Sequence, residues 1–202
     1  MWIAVEGNIG VGKSTLVHDL ASKMNWIAEG ENVESNKTFQ KHLSLFNTNY
    51  THAINLQRWL SSKRIRDARR RTKQGGNHIV ERSLLGDLVF TMVMYSRGYI
   101  NTENYKHYLT RITKIFSKLE PPTYVIYLKA TPEKCYSRLT QRSRTQESNI
   151  EESYIEDLSH QYNHTLPMYS VYWEIPLIVI NFDEFKTGEQ VKTLIEKHGE
   201  YK

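Results

Sequence analysis

The chain is predicted to fold as an α/β domain, a doubly wound sheet of five parallel strands with helices on both faces. Three observations carry this. A strand-like segment, Trp2-Ile3-Ala4-Val5, runs straight into the glycine-rich stretch Gly7-Asn8-Ile9-Gly10-Val11-Gly12-Lys13-Ser14-Thr15. Four further segments are short, rich in β-branched residues and bounded by turn or cap signals, and read as buried strands: Asn25 to Ala28, His78 to Val80, Tyr124 to Leu128 and Pro176 to Ile180. Helical patterns fill the gaps between them, which argues β-α-β crossovers and hence parallel pairing. Ligands then gather at the carboxyl ends of the strands.

The first loop matches G-x-x-x-x-G-K-[ST] in full. Its glycines let backbone N–H groups turn inward around an anion, and the helix starting near Lys13 adds its positive end. Lys13 can reach the β and γ phosphates, and the Ser14 hydroxyl is placed to ligate Mg²⁺. The apolar spacing Leu16, Val17, Leu20, Met24 supplies the helix that the motif requires. A nucleoside triphosphate is therefore the expected ligand.

Around residue 57, Gln57, Leu60 and Arg64 share one helix face. A glutamine carries a donor and an acceptor side by side, which suits the edge of a nucleobase. Beside the apolar Ile54, Leu56 and Trp59 it fits a satisfied buried amide equally well. The same helix runs into the basic stretch Lys63 to Lys73, which holds most of the excess behind the net charge of +5. Without interleaved aromatics that stretch reads as a solvated face or an anion site, so a nucleic-acid partner is not expected.

The third strand runs into Glu81-Arg82-Ser83, with Ser83 suited to cap a helix from Leu84. Here Glu81 can hold Mg²⁺ through water and Arg82 can neutralise a transferring phosphoryl group, the alternative being a surface ion pair. The helix Leu84 to Met94 is apolar on more than one face, as burial against a partner or within the monomer would require. After the fourth strand, Thr131-Pro132-Glu133 opens another helix on which Arg138 and Arg142 share a face, with Arg144 close behind. Three guanidinium groups near one helix end suit a phosphate clamp, with solvated charge as the plainer alternative.

At 202 residues the chain is long enough for one large core, and no linker, repeat or low-complexity run divides it. No apolar stretch approaches a membrane span. With a strand beginning at residue 2 there is no room for a leader, so a cytoplasmic location is expected. The single cysteine, Cys135, excludes an internal disulfide or thiolate cluster and reads as inert core.

Four segments together resemble the deoxynucleoside kinase family, the group containing deoxycytidine, deoxyguanosine and mitochondrial thymidine kinases and the insect multisubstrate enzyme. They are Glu6 to Thr15, Glu81-Arg82-Ser83, Ile126 to Glu133, and the arginines from Arg138 to Arg144, and the likeness runs from Ile3 to about Phe185. The resemblance implies a P-loop kinase fold acting as one domain over residues 1–202, with an arginine-bearing lid at about 138–150. It further implies a homodimer that uses ATP and Mg²⁺ to phosphorylate the 5′-hydroxyl of deoxynucleosides, in nucleotide salvage for DNA precursor synthesis.

Carried over by position, Glu31 in Glu31-Asn32-Val33-Glu34 corresponds to the family's general base, with Glu34 next in line. Arg82 would steady the hydroxyl and the departing charge, Glu81 would help hold Mg²⁺, Gln57 would pair with the base and Glu147 would bind the sugar 3′-hydroxyl. Arg64 and Asp87 align with residues placed around the base in the deoxycytidine and deoxyguanosine kinases, which points to deoxycytidine and deoxypurines. Four positions depart from the pattern. Asn32 replaces a proline and Asn36 a tryptophan. Phe46 stands where a tyrosine contacts the 3′-hydroxyl, Tyr50 being a nearby substitute, and Thr91 stands where a phenylalanine stacks on the base, with Phe90 beside it. The alternatives are a thymidine-preferring kinase, a thymidylate-type nucleotide kinase using Arg66 to Arg71, and more distantly a nucleic-acid-binding NTPase.

Overall fold

The computed structural model describes residues 1–31, 36–142, 144, 147 and 149–199, the side chains of 198 and 199 excepted. Asn32 and Glu34 lie outside the described residues, as do parts of the expected lid (143, 145, 146 and 148).

The chain runs β1 (Trp2–Gly7), α1 (Lys13–Met24), β2 (Ile27–Glu29), α2 (Lys37–Thr48), a short 3-10 turn (Tyr50–His52), α3 (Ala53–Gln74), β3 (His78–Glu81), α4 (Leu84–Ser96), α5 (Thr102–Phe116), β4 (Tyr124–Lys129), α6 (Pro132–Arg142), α7 (Glu152–Tyr172), β5 (Leu177–Asn181) and α8 (Gly188–Gly199). The five strands pair in parallel in the order β2-β3-β1-β4-β5. β1 is central, with Val5 beside both Glu81 and Ile126, so the phosphate loop and the Glu81-Arg82-Ser83 turn leave the sheet side by side.

Alternate residues of β1 point to opposite faces. Trp2 and Ala4 join one buried cluster with Leu88, Val89, Tyr108 and Tyr162, beneath α3, α4, α5 and α7. Ile3 and Val5 join the other with Leu16, Leu20 and Val191, beneath α1 and α8. Cys135 is fully buried in that second cluster, and burial pushes its thiol up to about 11, so it is inert.

Two strand expectations need correction. The second strand is Ile27–Glu29, because Asn25 takes a left-handed φ of 53° that closes α1, its N–H donating back to Ala21 and Ser22 carbonyls. Both β2 and β5 are edge strands and not buried ones: Ile27 and Val179 are each 53% exposed. Of the two coverings open to the apolar α4, the one within the monomer is present, supplied by α3, α5 and α7. Its cap is as expected, Ser83 Oγ accepting from Leu85 N at 3.1 Å.

Candidate active site

Gly10 and Gly12 have positive φ (78° and 108°), and neither has room for a Cβ, which would meet the Cys135 carbonyl oxygen and the Phe185 ring respectively. The loop between them can therefore curl its N–H groups inward. Asn8 ties it to α7, its Nδ2 donating to Ile155 O at 2.7 Å and to Ser159 Oγ at 2.6 Å, while its Oδ1 accepts from Ile9 N at 2.7 Å. Lys13 is buried and donates to the carbonyls of Gly7 (3.1 Å) and Asn8 (2.6 Å). Burial, then the nearby Arg82, pull its pKa down to about 7. Gly10, Gly12, Lys13, Ser14 and Thr15 line a cleft of about 1900 Å³, open solvent included.

Ser14 Oγ donates to Glu81 Oε1 at 3.0 Å, and Glu81 Oε2 accepts from Glu31 N at 3.4 Å. A hydroxyl and a carboxylate side by side at a phosphate loop suit Mg²⁺, a hard ion that takes few protein ligands and completes its shell with phosphate oxygens and water.

Deeper in, Glu31 accepts from Arg64 Nη2 and stands 3.8 Å from Arg82 Nε. Burial alone would raise its pKa, but Arg82 and Arg64 outweigh burial and hold it down to about 2. Arg64 also donates through Nε to Asp87 Oδ1 at 2.8 Å, bridging the two carboxylates. For Asp87 burial wins over Arg64, and its pKa is pushed up to about 6. The Arg82 backbone is left-handed (φ 63°), and its guanidinium lies 4.5 Å over the Phe90 ring.

Gln57, 1% exposed, donates through Nε2 to the Met94 sulfur at 3.4 Å. Its Oε1 and the Oδ2 of Asp87 are buried acceptors without a hydrogen-bond partner among the described residues. Since a buried polar atom left unpaired costs about 1–3 kcal/mol, the pair marks a surface built for donors from a ligand. Phe46, Phe90 and Glu147 also line this cleft.

Arg142 makes a bidentate pair with Glu147 (2.8 and 2.6 Å), and Arg144 stands 3.8 Å from the same carboxylate. Both arginines line the cleft, but Arg138 does not. Its guanidinium donates to the carbonyls of Val11 (3.3 Å), Phe182 (2.9 Å) and Asp183 (2.5 Å) and lies 4.0 Å over the Phe185 ring. Two arginines converge where three were expected, because the third tethers the loop to the exit of β5.

Other expectations meet the same test. Tyr50 stacks on Tyr99 at 4.2 Å and stays outside the cleft. Thr91 is fully buried and donates to Asp87 O at 2.7 Å, so Phe90 is the aromatic that faces the cavity. Asn36 caps α2, its Oδ1 accepting from Thr38 N (3.1 Å) and Phe39 N (3.0 Å). The basic stretch ties itself to the sheet edge: Arg71 is buried, pairs with Glu29 at 2.7 Å and covers Trp2, while Arg70 pairs with Asp67 at 3.2 Å. None of Arg66 to Arg71 lines the main cleft. Sequence reasoning missed Tyr154, which lines the cleft from the first turn of α7, and Met94, the partner of Gln57. Only helical spacing could have flagged them, Met94 lying seven residues beyond Asp87.

A family model described as "Deoxynucleoside kinase" matches residues 3–200. A deoxyadenosine kinase of Dictyostelium discoideum is 27% identical over 194 residues, 96% of this chain and 77% of that protein. A deoxyadenosine/deoxycytidine kinase of Bacillus subtilis is 24% identical over 198 residues, 96% of this chain and 90% of that one. Among solved structures, a deoxyadenosine kinase from M. mycoides with the products dCMP and a flexible dCDP bound superimposes with a TM-score of 0.81, at 26% identity over 99% of this chain and 100% of that chain.

Proposed function

The chain belongs to the deoxynucleoside kinase family, and on that premise we propose that it transfers the γ-phosphoryl of ATP to the 5′-hydroxyl of deoxycytidine and deoxypurine nucleosides. The observation that carries this is the single cleft with the phosphate loop at one end, Gln57 and Asp87 at the other, and Glu31 and Arg82 between. A nucleoside base against the two unpaired acceptors would present its exocyclic amine to Asp87 and its sugar to Glu147, leaving the 5′-oxygen at Glu31.

In this reading Glu31 orients the hydroxyl and takes its proton late, as the new O–P bond makes that proton acidic. A carboxylate held at about 2 is too weak a base to do so early. Arg82 neutralises charge on the moving phosphoryl group, and phosphoryl transfer needs little beyond such positioning and neutralisation. Lys13, Arg142 and Arg144 bind the donor phosphates. Ser14 and Glu81 would hold Mg²⁺, which supplies charge neutralisation across those phosphates when bound. Closure of the lid excludes water.

A phosphorylated acceptor is disfavoured, since Arg66 to Arg71 lie outside the cleft, and Arg70 and Arg71 of the same stretch are tied to acids of the chain itself, which weakens the case for nucleic acid. The homodimeric state and cytoplasmic setting implied by the family belong to this proposal, and no described helix is long and apolar enough to cross a membrane. The test is ATP consumption with each natural deoxynucleoside and with the monophosphates. Deoxycytidine or a deoxypurine should be turned over best, and thymidine as the best substrate, or turnover of monophosphates only, would overturn the assignment.

A further inference from the structure

Glu6, near the end of β1, is a fully buried carboxylate beneath the phosphate loop, with no part in the reaction described above. Four donors converge on it. Its Oε1 accepts from Ser83 N at 2.6 Å, Ser83 Oγ at 2.7 Å and Gly86 N at 3.3 Å, and its Oε2 accepts from Tyr162 OH at 3.4 Å. Three of the four belong to the start of α4, directly after Arg82. Ser83 is thereby given one orientation, donating its hydroxyl hydrogen to Glu6 while accepting from Leu85 N. A Cβ at position 86 would meet Glu6 Oε2 at 2.5 Å, so the carboxylate and the glycine are matched.

The turn held in this way is a strained one. Arg82 sits at φ 63°, a region that non-glycine residues occupy uncommonly and at a cost. On one side its N–H donates to Val5 O at 3.0 Å, and on the other the next residue is fastened to Glu6, so two successive residues of β1 clamp the turn from both ends. We propose that Glu6 is a positioning residue for the phosphoryl transfer, locking the start of α4 onto β1 and so keeping Arg82 in the backbone state that brings its guanidinium to Glu31. This rests on the role of Arg82 proposed above.

The test uses the full chain, with far-UV circular dichroism and a thermal melt to establish folding. Glu6→Leu keeps volume and removes every acceptor. It should lower kcat roughly 10- to 100-fold, as an ångström-scale displacement of a reacting group does, with the ATP dissociation constant within about twofold of the parent. Glu6→Gln should restore most of kcat, since its amide oxygen can face the α4 donors and its NH₂ the Tyr162 oxygen. Should Glu6→Leu fail to fold, Glu6→Asp, which retracts the carboxylate by one methylene, takes its place with the same expectation. In an Arg82→Ala background the Glu6 substitution should add no further loss of kcat. A full additional loss there would overturn the role of Glu6 while leaving that of Arg82 intact, and undiminished turnover in Arg82→Ala alone would overturn both.

Discussion

At the scale of single residues, the charges in the cleft are poised by their surroundings. Asp87 has a pKa of about 6 because burial outweighs the attraction of Arg64. If it accepts from an exocyclic amine it must be ionised, so the KM for deoxycytidine or deoxyadenosine should fall as pH rises from about 5 to 7 and then level off. Asp87→Asn should flatten that profile, which steady-state kinetics across the range will check. Lys13 behaves in the opposite sense, its pKa of about 7 set by burial and Arg82 in the absence of phosphate. Donor phosphates raise it again, so ATP binding should take up a proton near pH 7–8 and weaken as pH rises. Calorimetry in buffers of different ionisation enthalpy will measure the uptake. Glu31→Gln should lower kcat by about 10²–10⁴-fold, the usual contribution of a general base, while ATP affinity in equilibrium titration stays near the parent value.

The Glu31 assignment shows how far residue types could be read from sequence. The Gly7 to Thr15 loop was legible because the phosphate contacts its motif implies are local, made by one loop and one helix end. The bridge from Glu31 through Arg64 to Asp87 was not, because its members come from the β2 exit, α3 and α4 and meet only when the sheet has formed. Which carboxylate is held low and which is pushed high follows from burial and neighbours, and neither is local in sequence.

At the scale of elements, α6 carries two arginines one turn apart with different duties. Arg142 faces the cleft, and Arg142→Ala should lower turnover by roughly 10²-fold with little change in Tm, through lost charge stabilisation of the transferring group. Arg138 is bound to three carbonyls, and hydrogen bonds to charged groups contribute about 1.5–3 kcal/mol. Arg138→Ala should therefore lower Tm, by about 2–4 °C per kcal/mol lost. Paired thermal melts and kinetics on the two variants separate these duties. Helical spacing placed both arginines on one face, yet the packing of α6 against the loop and β5 decided which one was free to meet a ligand.

At the scale of the whole molecule, the basic stretch of α3 fastens the helix to the β2 edge through Glu29 and Trp2. Arg70, more than half exposed, should be replaceable by alanine with turnover within about twofold of the parent, since surface pairs contribute about 1 kcal/mol or less. A loss as large as that of Arg142→Ala would bring the stretch into the site and revive the nucleotide-kinase reading. Sequence alone determined the parallel α/β class, the alternation of strands with helices, the glycine-rich loop after the first strand and the caps at Ser83 and Thr131, because hydrophobic period, turn chemistry and capping act between near neighbours. Only the tertiary structure decided that β2 and β5 are edges, that α4 is covered within the monomer, that Arg138 is a tether, that Glu6 gathers donors from the start of α4 and from α7, and that Arg64 bridges two carboxylates. Those outcomes depend on which distant side chains are excluded from water together, and desolvation is a property of the folded whole.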